Sequence, residues 1–365
     1  MISKILNQSQ YELLNFPHYT VGDYLGRPFK AVFSKESKPI DRIGFGNGII
    51  AKSLMDFYRK NVNTEAGREA YEAVKRFYDR WILSGCKVRS LEDVYSGVAL
   101  LDIFEITNND KYKKGIDAIM SYVSACRNDE NGSIIFDQNH SDKYIHVESI
   151  GFIVPFLAKY AVKMDDDTAM NLAITQVQNY VQLGMDDKLI LPYHGYEAST
   201  GIKYGIVGWG LGVGLLMIGM SELLACMETT HPSFEAIKQS YRRIVDKVEA
   251  YQAEGGLYHW QLSAKDGPAD TGATAMILYS IAQSLENKVL IGIHKSRMMR
   301  GVEALKQCLQ EDGSIPGASK MTDEFNNYPI DFGPYPWALG PTLSLLVMLN
   351  EAENIAVPEP EIDYE

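Results

Sequence analysis

Hydrophobic positions recur with a helical period along nearly the whole chain, and the helical segments they define are of two kinds. One kind is apolar and rich in small residues, at 46–58, 91–104, 146–161, 208–224, 270–285 and 335–351, from "GNGIIAKSLMDFY" to "YPWALGPTLSLLVMLNE". The other is amphipathic and charged, at 64–82, 110–127, 167–183, 232–252 and 294–310, as in "TEAGREAYEAVKRFYDRWI". A helix that is apolar all round is buried, whereas one with a charged face borders solvent. The chain is therefore predicted to alternate buried helices with solvent-facing ones.

Each of the six apolar segments carries a glycine in or near its first turns: Gly48, Gly97, Gly151, Gly212, Gly272 and Gly340, at intervals of 49, 54, 61, 60 and 68 residues. Such a period marks a helix-pair repeat, which either stacks into an open solenoid or closes into a ring. Six copies favour closure, an all-α (α/α)6 barrel in which small residues let the inner helices approach one another. Residues 4–15 supply the expected twelfth helix, and residues 1–365 are expected to form a single domain.

In a ring of this kind the inner helices run the same way, so their N-termini and the loops feeding them converge on one face. Those loops, at 132–138, 189–197, 255–262 and 313–319, are turn-rich or strand-like. They and the helix starts bring Tyr193, His194, Tyr196, Trp209, Tyr258, His259, Trp260, Tyr335 and Trp337 to that face. Aromatic rings that pack on C–H surfaces while their polar edges hydrogen-bond suit the stacking of sugar rings; several of these rings could equally fill the core.

Composition narrows the function. A chain that is 46% hydrophobic and 22% charged has ample material for a large core. Its net charge of −12 argues against nucleic acid or an anionic membrane as the main partner. The longest apolar run, 206–220, has 15 residues and five glycines, too short for a membrane span. Cys86, Cys126, Cys226 and Cys308 lie far apart without ligand spacing, which disfavours disulfides and zinc, and the N-terminus lacks a secretory pattern. A cytoplasmic location is the expectation; oligomeric state is not legible.

Candidate chemistry centres on "KYIHVESIGFIVPFLAKYA" at 143–161, where Glu148 sits in the first turn of a buried helix. A carboxylate there gains from the macrodipole and from free N–H groups, so it is either a cap or a reactive group. Asp93 holds the equivalent place in the preceding apolar segment, and a ring would put the two at the same depth. Two nearby carboxylates in a partly dry cleft raise one pKa, which makes an acid/base.

The order of segments resembles the unsaturated glucuronyl and rhamnogalacturonyl hydrolases, glycoside hydrolase families 88 and 105, with the latter closer. "SLEDVYSG" resembles an LDD-x-x-x-G segment, "YIHVESIGFIVPFLAKYA" a W-x-D-G-x-x-x-x-x-P helix, and "LPYHGYE" a Y-H-x-W/Y-D/E loop. "VGWGLGVGLLMIGMSELL", "GGLYHWQL" and "DTGATAMILYSIA" resemble W-G-R-G-N-G-W, G-L-W-x-Q-V-L and E-T-S-A-T-A-M-x-x-Y-A-L. The matches are collinear from about residue 40 to residue 351.

The resemblance implies hydration of the 4,5-double bond of an unsaturated uronic acid in an oligosaccharide, with no metal or organic cofactor. By position, Glu148 takes the acid/base place and Asp93 that of its companion carboxylate. His194 and Trp209 flank the sugar, Tyr193, Tyr196, Trp260 and Trp337 add aromatic contacts, and His259 and Asp270 neighbour the cleft. Three departures stand out: glutamate replaces the family's catalytic aspartate, Leu211 its arginine and Val213 its asparagine. Lys143, Lys203 and Arg42 are candidate replacements for the missing cation. Two function classes follow, a hydrolase of unsaturated or otherwise acidic oligosaccharides, and a catalytically degenerate relative that binds glycans or assists polysaccharide assembly.

Overall fold

The computed structural model describes residues 1–15, 43–138 and 143–349. In chain order the helices are α1 (Ile2–Asn15), α2 (Phe45–Lys60), α3 (Glu65–Leu83), α4 (Leu91–Val94), α5 (Gly97–Thr107), α6 (Asp110–Ala125) and α7 (Val147–Met164). They continue with α8 (Asp167–Leu183), α9 (Gly210–Cys226), α10 (Phe234–Glu249), α11 (Thr271–Glu286), α12 (Lys295–Cys308) and α13 (Pro336–Met348). Helix α2 packs on α4–α5, that pair on α7, α7 on α9, α9 on α11, α11 on α13, and α13 back on α2. The inner ring is thus closed, and the fold is the (α/α)6 barrel.

The glycines act as the repeat implied. A Cβ on Gly48 would meet the Ser96 nitrogen at 2.9 Å, one on Gly151 the Leu215 carbonyl oxygen at 2.8 Å, and one on Gly340 the Ile49 carbonyl oxygen at 2.9 Å. Gly97, Gly212 and Gly272 likewise abut Phe156, Val147 and Trp337 of an adjacent inner element. Between α9 and α11 the close approach is at Gly210, where a Cβ would meet that of Ala273 at 2.8 Å, so each inner interface has a glycine where the helices come closer than a side chain permits.

The outer helices keep their charged faces outward and bury a single apolar stripe, and the starts of α3, α6 and α8 carry local caps. Thr64 Oγ1 accepts from Gly67 N–H, and Asp166 Oδ1 from Ala169 N–H, both at 3.0 Å. Helix α1 packs on α2, α3 and α13 and so fills the sixth outer position, as expected for residues 4–15.

One element differs from the sequence expectation. The apolar segment 91–104 is two helices, broken at Tyr95–Ser96. Ser96 Oγ donates to Ile43 O at 2.7 Å, and the Ser96 carbonyl oxygen accepts from the buried Tyr78 hydroxyl. The Ser96 carbonyl oxygen accepts Leu100 N–H only at 3.4 Å, so tertiary partners add to a weakened ladder at the break.

Short strands decorate the face where the inner helices begin. Strands β1 (Tyr144–His146), β2 (Gly195–Glu197) and β3 (Lys203–Tyr204) form an antiparallel sheet in that order. Strand β4 (Tyr258–His259) pairs with β5 (Ala269–Asp270), and β6 (Ala318–Ser319) with β7 (Phe332–Gly333). Strands β1 and β5 run directly into α7 and α11, so they aim the first turns of those helices. Among the described residues no helix is long and apolar enough to cross a membrane.

Candidate active site

The β1–β2 register places His146 opposite Gly195, and Val147 N–H donates to the His194 carbonyl oxygen at 2.9 Å. This lays the loop residue His194 across the first turn of α7, where Glu148 lies. His194 Nε2 is 2.8 Å from Glu148 Oε1, and His194 Nδ1 is 2.7 Å from the Tyr328 hydroxyl. That hydroxyl also accepts Ile206 N–H at 3.1 Å. With Tyr328 donating to Nδ1, Nε2–H donates to Glu148, a directed chain from a fixed backbone amide to a carboxylate.

His146 lies on the other side of the same carboxylate, its Nδ1 4.0 Å from Glu148 Oε2. Its ring stacks on Phe136 at 4.0 Å between centroids, and Phe325 packs against it at 4.5 Å. Burial, reinforced by the neighbouring His194, pushes the His146 pKa well below the usual imidazole range, so the ring is neutral near pH 7. Burial likewise pushes the Tyr328 hydroxyl up to about 12, which keeps it a hydrogen-bond donor.

Residues 320–331, ahead of α13, roof the cluster. The Phe325 ring packs against His146, His194, Tyr144 and Tyr204, and the Tyr328 ring against His194, Trp209 and Trp260. Gly205, at φ +77°, leaves room for Tyr328: a Cβ there would meet the hydroxyl at 2.5 Å. Under this roof Glu148 is 2% exposed and His194 0%.

Of the sequence-predicted site residues, the structure gathers Glu148, His194, Trp209 and Trp260 around Tyr328 and His146. Trp209, the residue before α9, has its ring 4.8 Å from that of His194, and its buried Nε1 has no hydrogen-bond partner among the described residues. The others make contacts of their own. Asp93 is buried on α4 and accepts Arg89 N–H at 2.8 Å. Tyr193 directs its hydroxyl to Asp186 at 3.3 Å, and Tyr196 is buried beside Ser133 and Tyr180. His259 Nδ1 bonds the Gly267 carbonyl oxygen at 2.8 Å. Trp337 donates to the Ser319 carbonyl oxygen at 2.9 Å and stacks on Tyr335. Asp270 caps α11: its Oδ1 accepts Gly272 N–H and Ala273 N–H, and its Oδ2 accepts the Ser319 hydroxyl.

Neither candidate lysine is bonded to the cluster. Lys143 is exposed, the Lys203 ammonium donates to the Met185 carbonyl oxygen, and Arg42 lies outside the described residues. Leu211 and Val213 are fully buried in the ring.

Sequence reasoning missed His146, Phe136, Phe325 and Tyr328. His146 had a local signal, an imidazole two residues before the glutamate on a strand-like approach to the helix. Phe325 and Tyr328 had a weaker one, two aromatic rings in the connection that precedes the last inner helix.

Comparison with known proteins places the chain in a family. A structure of a possible member of family GH105 from Salmonella enterica superposes with a TM-score of 0.81 at 14% identity, covering 95% of this chain and 93% of that one. A family 105 glycoside hydrolase from C. acetobutylicum gives 0.72 at 15% identity over 85% and 94%. An unsaturated glucuronyl hydrolase responsible for glycosaminoglycan degradation, from a Bacillus species, gives 0.68 at 14% identity over 97% of each chain. No curated protein is detectably similar in sequence. At such identities the superpositions speak for the fold; the family follows from the sequence model "Glycosyl Hydrolase Family 88", which matches residues 27–346. With most of its length matched by that model, the chain belongs to glycosyl hydrolase family 88.

Proposed function

We propose that the protein hydrates the 4,5-double bond of an unsaturated uronyl residue at the end of an oligosaccharide, with Glu148 as general acid/base. The carboxyl group gives its proton to C4 and, as carboxylate, takes one from the water that adds to C5. The resulting hemiketal opens and releases the next sugar. One carboxyl group suffices, because the proton it donates is replaced by the one it removes from water.

The observation that carries this reading is the placement of Glu148. Its carboxyl group is buried at the start of an inner helix, one oxygen is held by His194, and no N–H of its own helix claims the other. The shared family with hydrolases of unsaturated uronyl sugars supports the reaction class. Trp209, Trp260 and Tyr328 supply aromatic surface beside the carboxyl group, suited to a sugar face.

A second reading, a glycan-binding relative without turnover, is favoured by two features. The positions of the family's arginine and asparagine hold the buried Leu211 and Val213, which offer a substrate carboxylate nothing. Phe325 and Tyr328 also cover Glu148, so a sugar reaches it only after residues 320–331 shift.

Mixing the protein with lyase-generated unsaturated oligosaccharides, while following the enol-ether absorbance, separates the two. Hydration removes the band, and the proposed reading expects that loss for at least one uronyl substrate. A steady band across glucuronyl and galacturonyl ends, with binding still detectable by calorimetry, overturns the hydrolytic reading and leaves the binding one.

A further inference from the structure

Glu148 Oε2 and His146 Nδ1 are both buried, and neither has a hydrogen-bond partner among the described residues. They face each other at 4.0 Å, beyond hydrogen-bond reach. Leaving two such atoms unsatisfied in a dry interior is costly, so their juxtaposition asks what joins them.

His194 completes the set. Ligand atoms of His146, Glu148 and His194 all lie within 4.8 Å of one another, and no other group of three such side chains does so among the described residues. Two imidazoles and one carboxylate are a donor set for a borderline divalent ion, with a fourth position left for water. Bonds of about 2.0–2.2 Å to a tetrahedral ion put donors roughly 3.3–3.6 Å apart. The separations of 2.8 Å and 4.0 Å, to the two carboxylate oxygens, straddle that range, and the set spans no more than 4.8 Å, so side-chain shifts on the order of 1 Å bring the donors to an ion.

The surroundings suit ligation as well. With the His194 proton on Nδ1 and donated to the Tyr328 oxygen, Nε2 keeps its lone pair facing Glu148. Moving that proton from one ring nitrogen to the other releases none. Phe136 and Phe325 clamp the His146 ring from two sides and fix the direction of its Nδ1.

We propose that His146, Glu148 and His194 form a binding site for one divalent transition ion of the zinc type. The site stands independently of the hydration reading. If that reading also holds, ion and proton compete for one carboxylate, and loading the ion switches hydration off.

The test uses the full chain stripped with a chelator and titrated with Zn²⁺ against a chromophoric competitor, then with Co²⁺ followed by visible absorption. The expected result is one equivalent of Zn²⁺ per chain and a Co²⁺ adduct with the intense visible bands of low coordination number. His146→Gln and Glu148→Gln, each checked for fold by circular dichroism, weaken Zn²⁺ uptake by about 100-fold or more, since each removes a direct ligand. His231→Gln, in a surface turn before α10, leaves uptake unchanged. Absence of stoichiometric uptake by the parent overturns the site, as does uptake undiminished in a folded His146→Gln or Glu148→Gln protein. Uptake is read without turnover, so a protein that takes up zinc yet leaves the enol-ether band untouched keeps this site and loses only the hydration reading.

Discussion

Glu148, Asp93 and Asp270 are carboxyl groups at the starts of inner helices, and their partners sort them. Asp270 is spent on structure: it holds two N–H groups of α11 and the Ser319 hydroxyl, and burial raises its pKa despite those bonds. Asp93 accepts a backbone N–H of the turn before α4. Glu148 bonds a side chain instead, the buried His194. Glu148→Gln is therefore expected to unfold within ~1 kcal/mol of the parent, the scale of a lost cap, in a denaturant titration. On the hydration reading its turnover falls by about 100-fold or more, while oligosaccharide binding is retained. Turnover within a factor of a few of the parent removes Glu148 from the mechanism. Asp270→Ala is expected to behave in the opposite way. It removes a cap and leaves Ser319 without its acceptor, so unfolding free energy drops by about 2–4 kcal/mol. Equal stability of the two variants contradicts this division of roles.

At the scale of elements, the glycine contacts explain how helices of such bulk form a tight ring. Gly151 faces backbone as well as side chain, with the Leu215 carbonyl oxygen 2.8 Å and the Leu215 Cδ2 2.6 Å from where a Cβ would sit. Gly151→Ala is expected to cost about 1–3 kcal/mol through overpacking, despite the better helix propensity of alanine. A urea midpoint at or above the parent's disproves the contact's importance. Helix α1 offers a pH test of its docking. Burial, with Asp312 adding repulsion, raises the Glu12 pKa to about 7 from 4.5, although its bond from Gln8 opposes the shift. Between those values the folded chain holds more protons than the unfolded one, so this group's stabilisation is complete below 4.5 and is lost as pH rises through 7. Glu12→Gln should therefore raise Tm at pH 8 by about 2 °C and flatten the Tm profile between pH 5 and 8. An unchanged profile refutes the burial of a charged Glu12.

The whole molecule follows from closure. Because each inner helix buries two flanks against neighbours, and α1 binds both the first and the last inner helix, removal of one repeat exposes apolar faces on two others. We therefore expect the chain to behave as one domain, with a single unfolding transition by circular dichroism and by tryptophan fluorescence. Limited proteolysis that yields a stable half-length fragment contradicts a single cooperative ring.

What the sequence determined by itself was whatever repeats or is local. Helical period, uniform apolarity and recurring glycines are written in consecutive residues, so the inner and outer helices and the ring could be read directly. Placing Glu148 in a helical first turn was local too. The broken helix at Tyr95–Ser96 was not, since it depends on bonds to Ile43 and Tyr78. Nor was the site's composition. His146 and His194 meet at Glu148 only because β1 pairs with β2, and Phe325 and Tyr328 reach them from a loop more than 170 residues beyond Glu148. Hydrophobic period reports which face of an element is buried, and it carries no record of which distant side chain lies against that face; only the closed ring decides that.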